Sequence, residues 1–142
     1  MTWVAGQTAL MAAIFASWFF PPWVRGGEIP GAVLAAAGAV LLVWARTSMG
    51  RSFTVHPEPQ AAGELVTRGP FRIVRPPTYL GALLCLTGGS LFRSWTGLAL
   101  TGALALLWAG KARVEERHLA ARFPEYAEYR GRVRFRLVPF VY

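Results

Sequence analysis

Four stretches of this 142-residue chain are almost free of charge, and the polar residues collect between them. They are Trp3–Phe20, Ile29–Ala45, Tyr79–Phe92 and Trp95–Gly110, and the first two contain no Lys, Arg, Asp or Glu. At about 1.5 Å of rise per residue, roughly 20 helical residues cross the hydrocarbon core of a bilayer, with about 17 as a lower limit. The first two stretches predict membrane-spanning helices. The last two, interrupted only at Leu91-Phe92-Arg93-Ser94, predict a short hairpin that tilts, or thins the bilayer, while packing against the first pair. The elements expected are helices near residues 3–20, 29–47, 77–92 and 94–123 within a single domain spanning 1–142. The fold class is therefore all-α integral membrane, with four transmembrane helices.

The punctuation between helices agrees with this division. Pro21-Pro22 closes the first helix, and Gly26-Gly27 with Pro30-Gly31 makes a short turn. Ala35, Ala36, Ala37, Gly38 and Ala39 allow close helix approach, which predicts a central place for the second helix. Residues 50–77 carry Pro57, Pro59, Gly63, Gly69, Pro70, Pro76 and Pro77 and read as an ordered Pro/Gly-rich loop, with a small strand at Glu64–Thr67. Pro77 suits a first helical turn, and Ser94 suits an N-cap. The fourth helix runs on past the apolar stretch until Pro124 stops it, so Lys111–Phe123 projects beyond the membrane. In the tail, 125–142, the alternation Arg132-Val133-Arg134-Phe135-Arg136 predicts a strand or an extended arm.

Charge placement sets the orientation. Of fifteen Lys and Arg, all but Arg25 and Arg93 lie between Arg46 and Arg75 or between Lys111 and Arg136. The positive-inside rule then puts the loop, the helix extension, the tail and both termini on the cytoplasmic side of an inner membrane. Trp3, Trp18, Trp23, Trp44, Trp95 and Trp108 sit near segment ends, as interfacial belts do. A cleaved signal peptide would need a basic start and a small-residue cleavage site, whereas residues 1–20 begin without a base and end in Trp18-Phe19-Phe20. The net charge of +8 suits anionic lipid and not nucleic acid, because the arginines flank spans and do not line a soluble face.

Candidate chemistry gathers at the cytoplasmic ends. Lys111 and Glu115 are four apart and share a helix face, while Glu116 is turned about 100° away. Arg75 and Tyr79 open the third helix across Pro76-Pro77. The single cysteine, Cys85, lies in an apolar run, and His56 and His118 lack the spacing of a metal site, so no metal is expected. No phosphate-cradling glycine loop, Ser/His/Asp set or dinucleotide fingerprint is present.

The order Leu65-Val66-Thr67-x-Gly69-Pro70-Phe71-x-x-x-Arg75-x-Pro77-x-Tyr79-x-Gly81, then Glu115-Glu116-x-x-Leu119, Phe123, Glu125-Tyr126-x-x-Tyr129 and Val138-Pro139, resembles the isoprenylcysteine carboxyl methyltransferases and their relatives among membrane phospholipid methyltransferases. The resemblance covers about residues 46–140. It implies an integral membrane methyltransferase that uses S-adenosyl-L-methionine on the cytosolic side, with a lipophilic small-molecule or lipid acceptor, a carboxylate first, entering from the bilayer. Carried over by position, it makes His56, Gly63, Glu64, Leu65, Val66, Phe71, Pro76, Pro77, Thr78, Tyr79 and Glu115 cofactor contacts. Lys111 takes the place of a base that handles the acceptor carboxylate, and Arg75 is the second catalytic candidate.

The chain departs from the family pattern in three places: Arg75-Pro76-Pro77 stands where Arg-His-Pro is usual, Phe71 where Tyr is frequent, and Phe123-Pro124 where Phe-Gly is usual. Two other readings stay open. Steroid-reductase-like membrane enzymes carry a similar Arg-His-Pro-x-Tyr segment, and Arg68, Arg72 and Arg75 would suit the phosphates of NADPH. Pro76 also fits a non-catalytic membrane protein derived from the methyltransferases.

Overall fold

The computed structural model of the chain describes residues 2–21, 23–49 and 65–135. Among them the architecture is all-helical: α1 (Thr2–Ser17), α2 (Glu28–Met49), a 3-10 turn (Gly69–Arg72), α3 (Pro77–Arg93), α4 (Trp95–Arg122) and α5 (Tyr126–Arg132). The expected strand at Glu64–Thr67 is absent where it is described, since Leu65–Thr67 is irregular; Glu64 lies outside the described residues.

Local chemistry accounts for the helix ends. α1 stops at Ser17, three residues before the expected end; Pro21 has no N–H to offer the Ser17 carbonyl and its ring would clash there, so the helix cannot run through it. The amides of Trp18, Phe19 and Phe20 then form turns by donating hydrogen bonds to the carbonyls of Phe15, Ala16 and Ser17. α2 has Glu28 in its first turn and Arg46 in its last, each complementing the helix dipole. The Ser94 hydroxyl accepts from the Gly97 amide at 3.1 Å and so caps α4 as expected. Pro77 fills the first turn of α3.

The principal packing partners are α1 with α4, α4 with α3, and α3 with α2. α2 is therefore an edge helix and not the central one its composition suggested. Its small residues line only one face: Gly31, Gly38 and Ala45 are buried, while Ile29, Val33, Val40 and Val43 are more than 60% exposed. On that face the backbones nearly touch. A Cβ on Gly38 would lie 2.5 Å from the Gly81 carbonyl, and one on Gly88 would lie 2.5 Å from the Gly31 carbonyl. α2, with 22 residues, is long and apolar enough to cross a membrane, and α1 is a shorter apolar helix.

Two cores result. Ile14, Leu83, Leu86, Leu104 and Trp108 join α1, α3 and α4. Ala45, Phe71, Tyr126, Tyr129 and Val133 fasten the 3-10 turn and α5 beneath the end of α2. The tail begins with α5; of the strand or extended arm expected from Arg132 onward, Val133–Phe135 is irregular and the rest lies outside the described residues. Tyr126 and Tyr129, three apart, bury on one helical face, and the Tyr129 hydroxyl donates to the Phe71 carbonyl at 2.6 Å. Gly69, at φ +61°, lies against Trp44 and Ser48, leaving no room for a side chain, and Arg68 Nε donates to the Ser48 carbonyl at 3.2 Å near the end of α2.

Candidate functional site

The C-terminal half of α4 carries two neighbouring acids, and the helix sends them to different partners. Glu115 faces α3. Its Oε1 accepts from the Tyr79 hydroxyl at 2.7 Å and lies 3.8 Å from Lys111 Nζ. The Lys111 ammonium, 2% exposed, also sits 5.2 Å above the Tyr79 ring. Tyr79 stacks on Trp108, with centroids 4.9 Å apart and planes 17° from parallel. Glu116 faces the other way, with Oε1 3.4 Å from Arg75 Nη1. Arg75 Nη1 also lies 3.5 Å from the Tyr126 hydroxyl, and the Arg75 amide donates to the Phe135 carbonyl at 3.0 Å.

The site residues expected from sequence therefore divide. Lys111, Glu115 and Tyr79 come together as one polar group. Arg75 joins Glu116 and Tyr126 in a second, buried group. Leu65, Val66 and Phe71 belong to the apolar core around Tyr126 and Tyr129, where Phe71 offers its backbone carbonyl to a hydrogen bond. The bond between Arg75 and Pro76 is cis, Pro76 caps α3, and Pro77 and Thr78 begin it just before Tyr79. His56, Gly63 and Glu64 lie outside the described residues.

Sequence reasoning missed Gln7. Its Oε1 accepts from Lys111 Nζ at 3.1 Å and from Trp108 Nε1 at 3.2 Å, bringing α1 into the group. The signal available was a lone amide within an uncharged apolar stretch; Gln7 and Gln60 are the chain's only carboxamides. Glu116, Tyr126 and Tyr129 were quoted as part of a motif, but their joint use as a clamp needed the position of α5.

Electrostatics follow burial. Burial pushes the Glu115 carboxyl above its ordinary range, while the Tyr79 hydrogen bond and the fields of Lys111 and His118 pull it back. Burial pushes the Lys111 ammonium below its ordinary range, and Glu115 opposes that shift. A buried cation, a half-buried carboxylate and a hydroxyl at the end of an apolar hairpin can orient an anionic group whose remainder is hydrophobic. In the second group, Arg75 Nε is buried with no hydrogen-bond partner. An orphaned guanidinium donor of this kind can receive a further anionic or carbonyl oxygen.

Two comparisons with known proteins bear on this arrangement. Residues 28–126 match the family described as Phospholipid methyltransferase, a stretch that includes Tyr79, Trp108, Lys111, Glu115 and Glu116 but not Gln7. The chain is also similar to the Cobalt-zinc-cadmium resistance protein CzcN of Cupriavidus metallidurans, with 44% identity over 73 residues. That similarity takes in 48% of this chain and 32% of the relative, so it spans about a third of the relative's length.

Proposed function

This chain belongs to the phospholipid methyltransferase family, and from that premise we propose that it is a multi-pass membrane enzyme that uses S-adenosylmethionine to methylate a lipophilic carboxylate. The observation that carries the acceptor is Lys111, a buried ammonium held between Gln7 and Glu115 where the apolar part of α4 ends. Such a group suits an acceptor that presents one anionic head and leaves its tail in the bilayer.

The four long helices cross the membrane, with the polar groups and both termini on the cytoplasmic side of the inner membrane. The distribution of bases supports this orientation. So do the large apolar side chains left exposed on the outside of the helices, among them Ile29, Val33, Val40 and Leu106. α1 and α3, with 16 and 17 residues, reach roughly 24–26 Å. They therefore call for a locally thinned bilayer.

The residues present fit the cofactor. Arg75 Nε is a buried orphan donor for a carboxylate, and Glu115 offers acceptor oxygens for an ammonium or ribose hydroxyls. When bound, the cofactor supplies an electrophilic methyl group on a sulfonium that leaves as a neutral thioether. A carboxylate acceptor would already be ionised, so this chain would need no base to deprotonate it. Lys111 orients the carboxylate, and the apolar walls of α1, α3 and α4 exclude water. Positioning and desolvation are the contributions an in-line displacement needs most.

Purified protein in detergent is expected to bind S-adenosylmethionine in a calorimeter. With cofactor carrying a tritiated methyl group, it is expected to label a farnesylated N-acetylcysteine as a methyl ester that alkali cleaves to methanol. Alkali-stable label on an aminolipid would replace the carboxylate with an amine as acceptor. No cofactor binding up to millimolar concentration would remove the methyltransferase reading altogether.

A further inference from the structure

Lys111 is the chain's only lysine, set against fourteen arginines, and it is nearly inaccessible at 2% exposure. A compact ammonium so deep in an apolar bundle has to be held by neutral as well as anionic groups if its charge is to remain usable. The structure supplies the neutral partner from α1, a helix that precedes the family-matched segment.

The contacts close into a ring. Gln7 Oε1 binds Lys111 Nζ at 3.1 Å; Lys111 lies 3.8 Å from Glu115; Glu115 accepts from Tyr79 at 2.7 Å; Tyr79 stacks on Trp108 at 4.9 Å; and Trp108 Nε1 returns to Gln7 Oε1 at 3.2 Å. Both groups that reach Gln7 are donors only, so its oxygen, and not its NH2, must face them. A carboxylate at this position would satisfy the same donors, but it would add a negative charge beside the ammonium. An aliphatic side chain would leave two donors without their acceptor. An amide thus fixes the ammonium without adding a second carboxylate to that of Glu115.

We propose that Gln7 is a positioning residue that holds Lys111, already paired with the Glu115 carboxylate, for the anionic head of the acceptor. The inference rests on the methyltransferase reading for the identity of that acceptor, and on the ring of contacts alone for the coupling of Gln7 to Lys111. The groups facing Lys111 include Gln7 from α1, Tyr79 from α3 and Glu115 from α4, with His118 acting on Glu115 from the next turn.

The test compares Gln7→Glu and Gln7→Leu with the parent in detergent. Because there is one lysine, protein carrying 13C only in lysine reports the ionisation of Lys111 directly, through its Cε chemical shift followed across pH in detergent. Gln7→Glu is expected to move the titration up and Gln7→Leu to move it down. With farnesylated N-acetylcysteine as acceptor, both variants are expected to raise KM roughly tenfold or more, the scale of one charge-assisted hydrogen bond. Cofactor affinity and kcat should stay within about twofold, less than one ordinary hydrogen bond is worth. A purely structural Gln7 predicts the opposite for Gln7→Glu, an isosteric change that keeps both hydrogen bonds and would leave KM unchanged. An unchanged KM in that variant, or a Lys111 titration identical in all three proteins, overturns the proposal. Titrations that shift in a protein with no methyl transfer at all would keep the coupling and overturn the acceptor assignment instead.

Discussion

Removing one member of the Arg75–Glu116 pair should destabilise the protein strongly, and removing both should cost far less than the sum. The two side chains are 7% and 10% exposed and 3.4 Å apart, so neither charge has bulk water to fall back on. Breaking a buried pair from one side costs about 3–5 kcal/mol, because the surviving charge stays in a poor solvent. Arg75→Leu and Glu116→Leu are each expected in that range. Replacing both partners with apolar groups removes the buried charge altogether and is often close to neutral. The double variant should therefore show a coupling of about 2 kcal/mol or more. The assay is SDS-induced unfolding in mixed micelles, followed by tryptophan fluorescence for the four proteins of the cycle. Stability and binding should then part company: the double variant regains stability but still lacks Arg75 Nε, so its affinity for S-adenosylmethionine stays low. Single effects that add within about 0.5 kcal/mol would show that the pair does not act as a clamp.

Three further outcomes follow from the geometry. Gly38→Ala should cost about 1–3 kcal/mol in the same unfolding assay, since its Cβ would meet the Gly81 carbonyl and the Cys85 amide at 2.5 and 2.6 Å; Gly102→Ala, with nothing within 4 Å, should be neutral or slightly stabilising. Tyr129→Phe should cost about 1–2 kcal/mol in thermal unfolding, because the Phe71 carbonyl loses a 2.6 Å donor in a buried setting. Glu115 has a raised carboxyl pKa, so the native state holds its proton more tightly than the unfolded chain does. Its stabilising contribution is complete below the ordinary carboxylate range and is lost as pH rises through the native value. Glu115→Gln should flatten the fall in stability between acid and neutral pH, and an unchanged pH profile would contradict the shift.

The sequence made the helices legible because each is written in long uncharged runs with proline, glycine and serine at the ends. The Ser94 cap and the Pro77 start were readable for the same local reasons. Lys111 and Glu115 could be placed on one face from their spacing alone. What could not be read depended on which helix lies beside which. The small residues of α2 announced close packing, but close packing against one neighbour serves an edge helix as well as a central one. Tyr126 and Tyr129 looked like motif letters in a basic tail, and only the core beneath α2 explains why they fold into a helix. Gln7 carried no motif at all, and its role appears only when α1 is laid against α4.

α4 divides the labour of its two acids by a single step of about 100° around the helix. Glu115 is turned toward the apolar bundle, where Tyr79 and Lys111 meet it, and Glu116 toward the tail, where Arg75 and Tyr126 hold α5 in place. Adjacent residues on a rigid helix cannot rotate independently, so the clamp on the tail also fixes the phase at which Glu115 faces α3. The phase matters because the Tyr79 bond is 2.7 Å long, and a small rotation of α4 would open it. Arg75 links the two functions from the other side: it lies two residues before α3, whose first turn carries Tyr79. Both ends of the Tyr79–Glu115 bond are thus tied to the Arg75–Glu116 pair, one through α3 and one through α4. A lesion in the buried pair should accordingly disturb the polar ring without touching any of its members, whereas a lesion in Gln7 should disturb the ring and leave the tail in place.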